Sequence, residues 1–295
     1  MNILAIDIGG TFIKYAYFEN KKLIFNNKLK SEGDKGAEYI IKNVDDLIEN
    51  ILRDNNLDGI AVSSAGIVDP EKGNIIHASH TIPNYKGFNW KNYIKNKYNL
   101  RLEIDNDVNC AALGEFSIGS VKNKDNILML SIGTGIGGAF IKNGEIYRGA
   151  NKCGLEVGYM NIEGGNFEDL ASTTALLKKY NELSKNKING YELFDLAKNG
   201  DEKAIESIEF AMENLAKGIS NITYIIDPSF IVLGGGIMEQ EDYLEPIIKK
   251  YLKKYMIPLA YENCKLVFAK AGNLASCYGA LYNFNKKLEE YNELF

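Results

Sequence analysis

Nothing in this sequence of 295 residues is apolar for long enough to span a bilayer. The N-terminus has no charged region ahead of an apolar one and no small-residue cleavage site, so a cytoplasmic location without a membrane partner is expected. Cysteine is scarce. Cys110, Cys153, Cys264 and Cys277 stand far apart with no Cys-x-x-Cys pair, which favours buried apolar fillers over disulfides or metal ligands. Positive charge is also short. A net charge of −5 leaves no electrostatic footprint for nucleic acid, and the lysines of 91–97 and 249–254 read as solvated helix faces. Pro/Gly/Ser linkers and low-complexity tracts are missing, so the chain reads as one large globular domain or two ordinary ones.

What is present is a pattern of strands alternating with helices, headed in each half by a hairpin. "NILAIDIGGTFIKYAYFEN" at 2–20 and "NILMLSIGTGIGGAFIKNGEI" at 126–146 both read as strand, Gly/Thr turn, strand and polar turn. An apolar stripe of Ile40, Ile41, Val44, Leu47, Ile48, Ile51 and Leu52 predicts a helix over 38–53. Helices are also predicted over 90–98, 108–116, 169–183, 191–198, 201–226, 243–255 and 275–290, with strands at "LDGIAVSSAGIVDP", which ends in small residues and a turn at Asp69-Pro70, at "LRLEI", at "SFIVLGGGI", which runs into three glycines, and at "CKLVFAKAGN". Such alternation implies an α/β fold, and the hairpins imply mixed sheets.

Glycine tolerates positive φ and lets another group approach the backbone. A strand, Gly-Gly-Thr, strand hairpin therefore offers N–H groups and a hydroxyl to an anion such as phosphate. Tight hairpins without a ligand are the ordinary alternative. Two matched hairpins together with "LGGG" at 233–236 favour a nucleotide site. No G-x-x-x-x-G-K-[ST] motif is present, and "GTGIGG" is followed by a strand pattern where a dinucleotide fingerprint needs a helix. Asp7 would repel phosphate directly but would hold Mg²⁺ well, directly or through water.

"IDNDVNCAALGE" ends a strand with Asp105-Asn106-Asp107 and starts a helix. One of the three serves as an N-cap, and a carboxylate at a strand's end is placed to accept a proton from a substrate hydroxyl. Glu156 and Glu168 flank Tyr159 in a third polar cluster.

These stretches resemble the ROK family of sugar kinases and repressors, within the actin/hexokinase-like ATPase superfamily. The resemblance runs through "IDIGGTFIK", "SSAGIVDPEKG", "IDNDVNCAALGE", "IGTGIGGAFIKNGEIYRG", "LEVGYM" and "VLGGGI", in order and over nearly the whole chain. It implies two actin-like (ribonuclease H-like) α/β domains, 1–115 and 116–295, with mixed β-sheets around a nucleotide/sugar cleft. The last helix, near 275–290, would pack back on the first domain. It implies an ATP- and Mg²⁺-dependent kinase acting on the 6-hydroxyl of a small-molecule sugar, and a homodimer. Asp107 would be the general base. Asp7, Gly9, Gly10, Thr11 and Lys14 would form the first ATP-phosphate site, with Mg²⁺ on Asp7 through water. Gly133, Thr134, Gly135, Gly137 and Gly138 would form the second, and Gly234, Gly235 and Gly236 would lie by the adenosine. Gly66, Ser79, Thr81, Asn106, Glu156, Tyr159 and Glu168 would bind the sugar beside Asp107.

The chain departs from the family pattern where a Cys-rich zinc loop is usual. "NIEGGNFEDLAST" has no cysteine and Tyr159 replaces the expected histidine, so no zinc is expected, since a structural site needs about four ligands. Thr81 stands where an Asn is usual. Zinc-less members with "GYM" resemble bacterial N-acetylmannosamine kinases and β-glucoside kinases. The absence of an Arg-rich stretch at "ASHTIPNY" favours N-acetylmannosamine, with glucose, another hexosamine or a β-glucoside as alternatives. A family repressor would carry a helix-turn-helix domain before the first strand, which here starts at Asn2. A non-catalytic sugar sensor would be expected to lose the base, and Asp107 is present.

Overall fold

A computed structural model describes residues 1–78 and 82–293. The chain divides into two units. One comprises Met1–Asn123, Arg148–Cys153 and the residues from Lys270 on; the other comprises Lys124–Tyr147 and Gly154–Ala269.

The first unit begins with an antiparallel meander of β1 (Asn2–Ile8), β2 (Phe12–Glu19) and β3 (Lys22–Lys30). The helix α1 (Ala37–Asp54), strand β4 (Gly59–Ser64), hairpin β5 (Ile67–Asp69) and β6 (Asn74–His77), helix α2 (Trp90–Tyr98), strand β7 (Arg101–Asn106) and helix α3 (Asp107–Ser117) follow. β4 joins β1 in parallel and β7 joins β4, so the order is β3-β2-β1-β4-β7.

The second unit repeats this plan. Its meander is β8 (Ile127–Ile132), β9 (Ile136–Lys142) and β10 (Glu145–Ile146). A small hairpin of β11 (Asn161–Ile162) and β12 (Gly165–Asn166) leads to helices α4 (Phe167–Ala171), α5 (Thr173–Ser184), α6 (Gly190–Lys198) and α7 (Glu202–Ile226). Then come β13 (Phe230–Gly234), α8 (Glu241–Tyr255), α9 (Pro258–Asn263) and β14 (Lys265–Phe268). The sheet order is β10-β9-β8-β13-β14, with β13 parallel to both its neighbours. The two sheets thus share one mixed topology, and the repeat seen in the hairpins extends to all five strands of each.

Local chemistry explains the meanders. Asn20 and Lys21 both take positive φ between β2 and β3, and so do Asn143 and Gly144 between β9 and β10. Two consecutive residues of that kind make the tight hairpin turn whose twist matches the strands. β1 is apolar from Ile3 to Ile6 because both its faces are covered. Leu4, Ile6 and Ile8 share a core with the α1 stripe of Ile40, Val44, Leu47 and Ile48. Ile3 and Ala5 share another with Cys110 and with Cys277, Ala280 and Phe284 of the final helix α10 (Ala275–Glu293). α10 packs along α3 and on β4, β7 and β1. Its start is tied down by Glu115, fully buried, which accepts the N–H groups of Lys270 and Ala271 at 2.8 and 2.6 Å.

The helix expected over 169–183 is two helices. Ser172 interrupts it, extended in backbone, with its hydroxyl accepting the Ala175 N–H at 3.1 Å as the N-cap of α5. Among the described residues, no helix is long and apolar enough to cross a membrane.

Candidate functional site

In the first unit, Asp7 is the last polar residue of β1 and is only 9% exposed. Sheet register places Lys14 of β2 on one side of it and Ser63 of β4 on the other. The Ser63 hydroxyl donates to Asp7 Oδ1 at 2.7 Å, and Lys14 Nζ lies 3.6 Å from Oδ2. Burial pushes the Asp7 carboxyl above its ordinary range, against the opposing pull of Ser63 and Lys14. The Gly9-Gly10-Thr11 turn closes with Gly9 N donating to Phe12 O at 3.1 Å. Ser31 braces it from behind, its hydroxyl donating to Gly10 O at 2.5 Å and its N–H to Thr11 O at 3.0 Å.

The three polar residues after β7 have three separate jobs. Asn106 is the N-cap of α3, its Oδ1 accepting from Val108 N at 2.9 Å and Asn109 N at 3.2 Å. Asp105 is buried and holds the Arg148 guanidinium in an ion pair. Asp107 is the first helical residue and is partly exposed. Its Oδ1 accepts from Asn106 Nδ2 and from Val108 N, both at 2.9 Å. Asn106 Nδ2 also donates to Gly66 O at 2.9 Å, which brings Gly66, Asn106 and Asp107 together. Behind Gly66, the fully buried Tyr85 hydroxyl lies 2.8 Å from Ser64 Oγ and accepts from Trp90 Nε1 at 2.8 Å. Burial pushes the Tyr85 phenol up to about 12. Ser79 and Thr81 lie outside the described residues.

In the second unit, the Gly133-Thr134-Gly135 turn joins β8 to β9, with Gly133 N donating to Gly135 O at 2.9 Å. The start of α5 is fastened to it: Thr173 N donates to Gly133 O at 2.9 Å and Thr174 Oγ1 to Thr134 O at 2.7 Å. Glu168 of α4 reaches the same turn, its Oε2 accepting from Ile136 N at 3.4 Å. A Cβ on Gly135 would lie 2.5 Å from that oxygen, so the glycine is what seats Glu168 there. Gly137 and Gly138 are inside β9 rather than in the turn, paired with Ser131 and Leu130. Glu156 precedes the single helical turn Val157–Tyr159, and Tyr159 is 60% exposed.

Gly234 ends β13, and Gly235 turns the chain with φ +106° against the carbonyl of Ile132. Gly236 lines a cavity of about 290 Å³ with Gly133, Thr134, Tyr191, Phe194 and Ile237. This brings the second hairpin and the glycine run to one pocket. Sequence reasoning missed Tyr191, Phe194 and Gln240 on its wall, as well as Ser31, Ser63 and Arg148. Only the "INGYELF" helix start signalled any of these. Asn189 there caps α6 in a reciprocal bond pair with Glu192.

One buried carboxylate hydrogen-bonded on one oxygen and facing a lysine with the other suits a hydrated Mg²⁺, which keeps most of its waters and takes few protein ligands. Among the described residues, no three His, Cys, Asp or Glu side chains gather as a metal centre. Glu163 and Gly164 join β11 to β12.

A β-glucoside kinase of Listeria monocytogenes is 32% identical over 99% of this chain and 99% of its own length. An uncharacterised protein of Clostridium perfringens is 43% identical over 97% of this chain and 98% of that one. A solved structure from Listeria monocytogenes, proposed to be an N-acetylmannosamine kinase, superposes with a TM-score of 0.87 at 28% identity, over 97% of this chain and 99% of that one. More distant relatives bear the names glucokinase and N-acetyl-D-glucosamine kinase. The sequence profile of the ROK family matches residues 3–287, and with it the paired mixed sheets, the two glycine hairpins and the Asp105-Asn106-Asp107 turn fall within one continuous match: this chain belongs to the ROK family.

Proposed function

We propose that this chain is an ATP-dependent sugar kinase that phosphorylates the 6-hydroxyl of a hexose or N-acetylhexosamine, with N-acetylmannosamine the first substrate to test. ROK membership and kinase-named relatives support sugar kinase activity. The observation that carries the mechanism is the Asp107 carboxylate, partly exposed at the strand-to-helix junction and oriented by Asn106 and Val108.

Asp107 accepts the proton of the sugar hydroxyl as the oxygen attacks the γ-phosphorus of ATP. The bond from that phosphorus to the β–γ bridging oxygen breaks, and ADP leaves. Phosphoryl transfer needs positioning and charge stabilisation more than covalent chemistry. Gly9, Gly10 and Thr11 with Lys14, and the turn Gly133-Thr134-Gly135, supply backbone N–H groups and a cation to the phosphates. The Gly236 pocket takes the nucleoside, with Gly234 and Gly235 leading the chain from β13 to Gly236 and Gly137 and Gly138 lying in β9 after the turn. Asp7 would hold Mg²⁺, and the ion would supply positive charge to neutralise the phosphates. Gly66, Asn106, Glu156, Tyr159 and Glu168 bind the sugar. A zinc ion has no role in this reading.

The absence of an Arg-rich stretch at "ASHTIPNY" supports the N-acetyl sugar, while the "GYM" segment at 158–160 fits both readings. A β-glucoside is the second reading, favoured by the 32% identical relative of that name. Asp107→Asn tests the base: it should keep ATP and sugar binding and lose turnover, and unchanged turnover would remove Asp107 from the mechanism.

A further inference from the structure

We propose that Arg148 and Asp105 form a positioning pair that fixes the direction of the Asp107 carboxylate, an inference that rests on the reading of Asp107 as the base. Asp105 is 1% exposed, on the next-to-last position of β7. A charge that deep persists only when paired and fully hydrogen-bonded. Its Oδ2 holds the Arg148 guanidinium. Its Oδ1 accepts from Asn106 N at 2.8 Å and from Asn109 Nδ2 at 2.9 Å. Every one of these partners apart from Arg148 belongs to the turn that carries Asp107.

The bonds then run on without a break. Asn106 Oδ1 accepts from Val108 N and Asn109 N, while its Nδ2 donates to Asp107 Oδ1. Asp105 therefore holds the backbone of Asn106, and Asn106 aims the base. Arg148 stands 43 residues away in sequence and opens the short Arg148–Cys153 segment, which packs in the first unit. A buried ion pair adds little net stability over well-packed apolar groups. What this one adds is direction: a planar guanidinium fixes one carboxylate, and that carboxylate fixes the turn.

The consequence is a loss in the chemical step rather than in binding. A base displaced by about 1 Å costs on the order of 100-fold in rate. The test uses Arg148→Gln, Arg148→Lys and Asp105→Asn in the full-length protein. kcat and KM are measured for ATP and the sugar, and amide hydrogen exchange is followed at Asn106, Val108 and Asn109. The inference expects Arg148→Gln to lower kcat by about 100-fold with both KM values little changed. Exchange should rise at those three amides and stay unchanged at β8. Arg148→Lys should restore part of kcat and of the protection. An unchanged kcat, or unchanged exchange at the three amides in Arg148→Gln, overturns it. So does a loss of kcat accompanied by faster exchange throughout the protein, which marks a merely structural pair. Turnover of the wild type decides the kinase reading separately. If the wild type phosphorylates no sugar, that reading fails, while the exchange measurement still decides whether the pair holds the turn.

Discussion

Asn106 Nδ2 donates to Asp107 Oδ1 at 2.9 Å while Asn106 Oδ1 caps α3. One amide thus starts the helix and aims the carboxylate on its first turn. Asn106→Ala removes both functions. It should cost about 1 kcal/mol of stability as a lost cap, and it should lower kcat further than a cap alone explains. Chemical denaturation and steady-state kinetics on one preparation separate the two effects.

Asp7 is held between Ser63 and Lys14. Because burial already works against its charge, the neutral Asp7→Asn should fold with an unchanged or raised melting temperature. It should nevertheless turn over poorly, since Asp7 is the carboxylate proposed to hold Mg²⁺ beside ATP. EDTA should stop the wild-type reaction, and Mg²⁺ alone should restart it. A requirement for added Zn²⁺ would contradict the account.

Two glycines to alanine should behave differently. At Gly235 the new Cβ would lie 2.1 Å from the Ile132 carbonyl, at a φ of +106°. Backbone cannot yield there, so Gly235→Ala should destabilise the second unit and weaken ATP binding together. At Gly135 the obstacle is the Glu168 carboxylate at 2.5 Å, the far end of a flexible side chain. Gly135→Ala should fold normally and raise the KM for the sugar. Thermal melts and titration calorimetry with ATP and with the sugar distinguish the two.

Tyr85→Phe leaves the buried Trp90 Nε1 and Ser64 hydroxyl without their shared partner. It should cost about 1–3 kcal/mol. The Tyr85 phenol is raised from 10.0 to about 12 in the folded protein. Its stabilisation is complete below pH 10 and is lost as pH rises through about 12. Urea unfolding from pH 8 upward should therefore show a steeper alkaline loss in the wild type than in Tyr85→Phe.

Much of this fold is legible locally. The helix α2 coincides with its predicted span because Asn89 caps one end and Asn99 takes left-handed φ at the other. The hairpins are legible because their turn residues can adopt positive φ at little cost. What is not legible depends on distant partners. Ser172 looks like any helical serine until its hydroxyl caps α5. Arg148 has no motif of its own, since its partner Asp105 is brought to it by the sheet. Tyr191, Phe194 and Ile237 come from two separate segments and meet only in the folded pocket. The polar triplet shows both limits: its three residues are all N-cap candidates in sequence, and the folded turn divides them into ion-pair partner, cap and proposed base.

The most direct measurement is ADP release with ATP and Mg²⁺ over N-acetylmannosamine, N-acetylglucosamine, glucose, mannose, fructose and cellobiose, for the wild type beside Asp107→Asn. The account expects wild-type turnover to be highest on N-acetylmannosamine and about 100- to 10,000-fold lower in Asp107→Asn. Preference for cellobiose or glucose would keep the kinase and overturn the choice of sugar. No turnover on any sugar, or equal turnover in the two proteins, would contradict a kinase that uses Asp107 as its base.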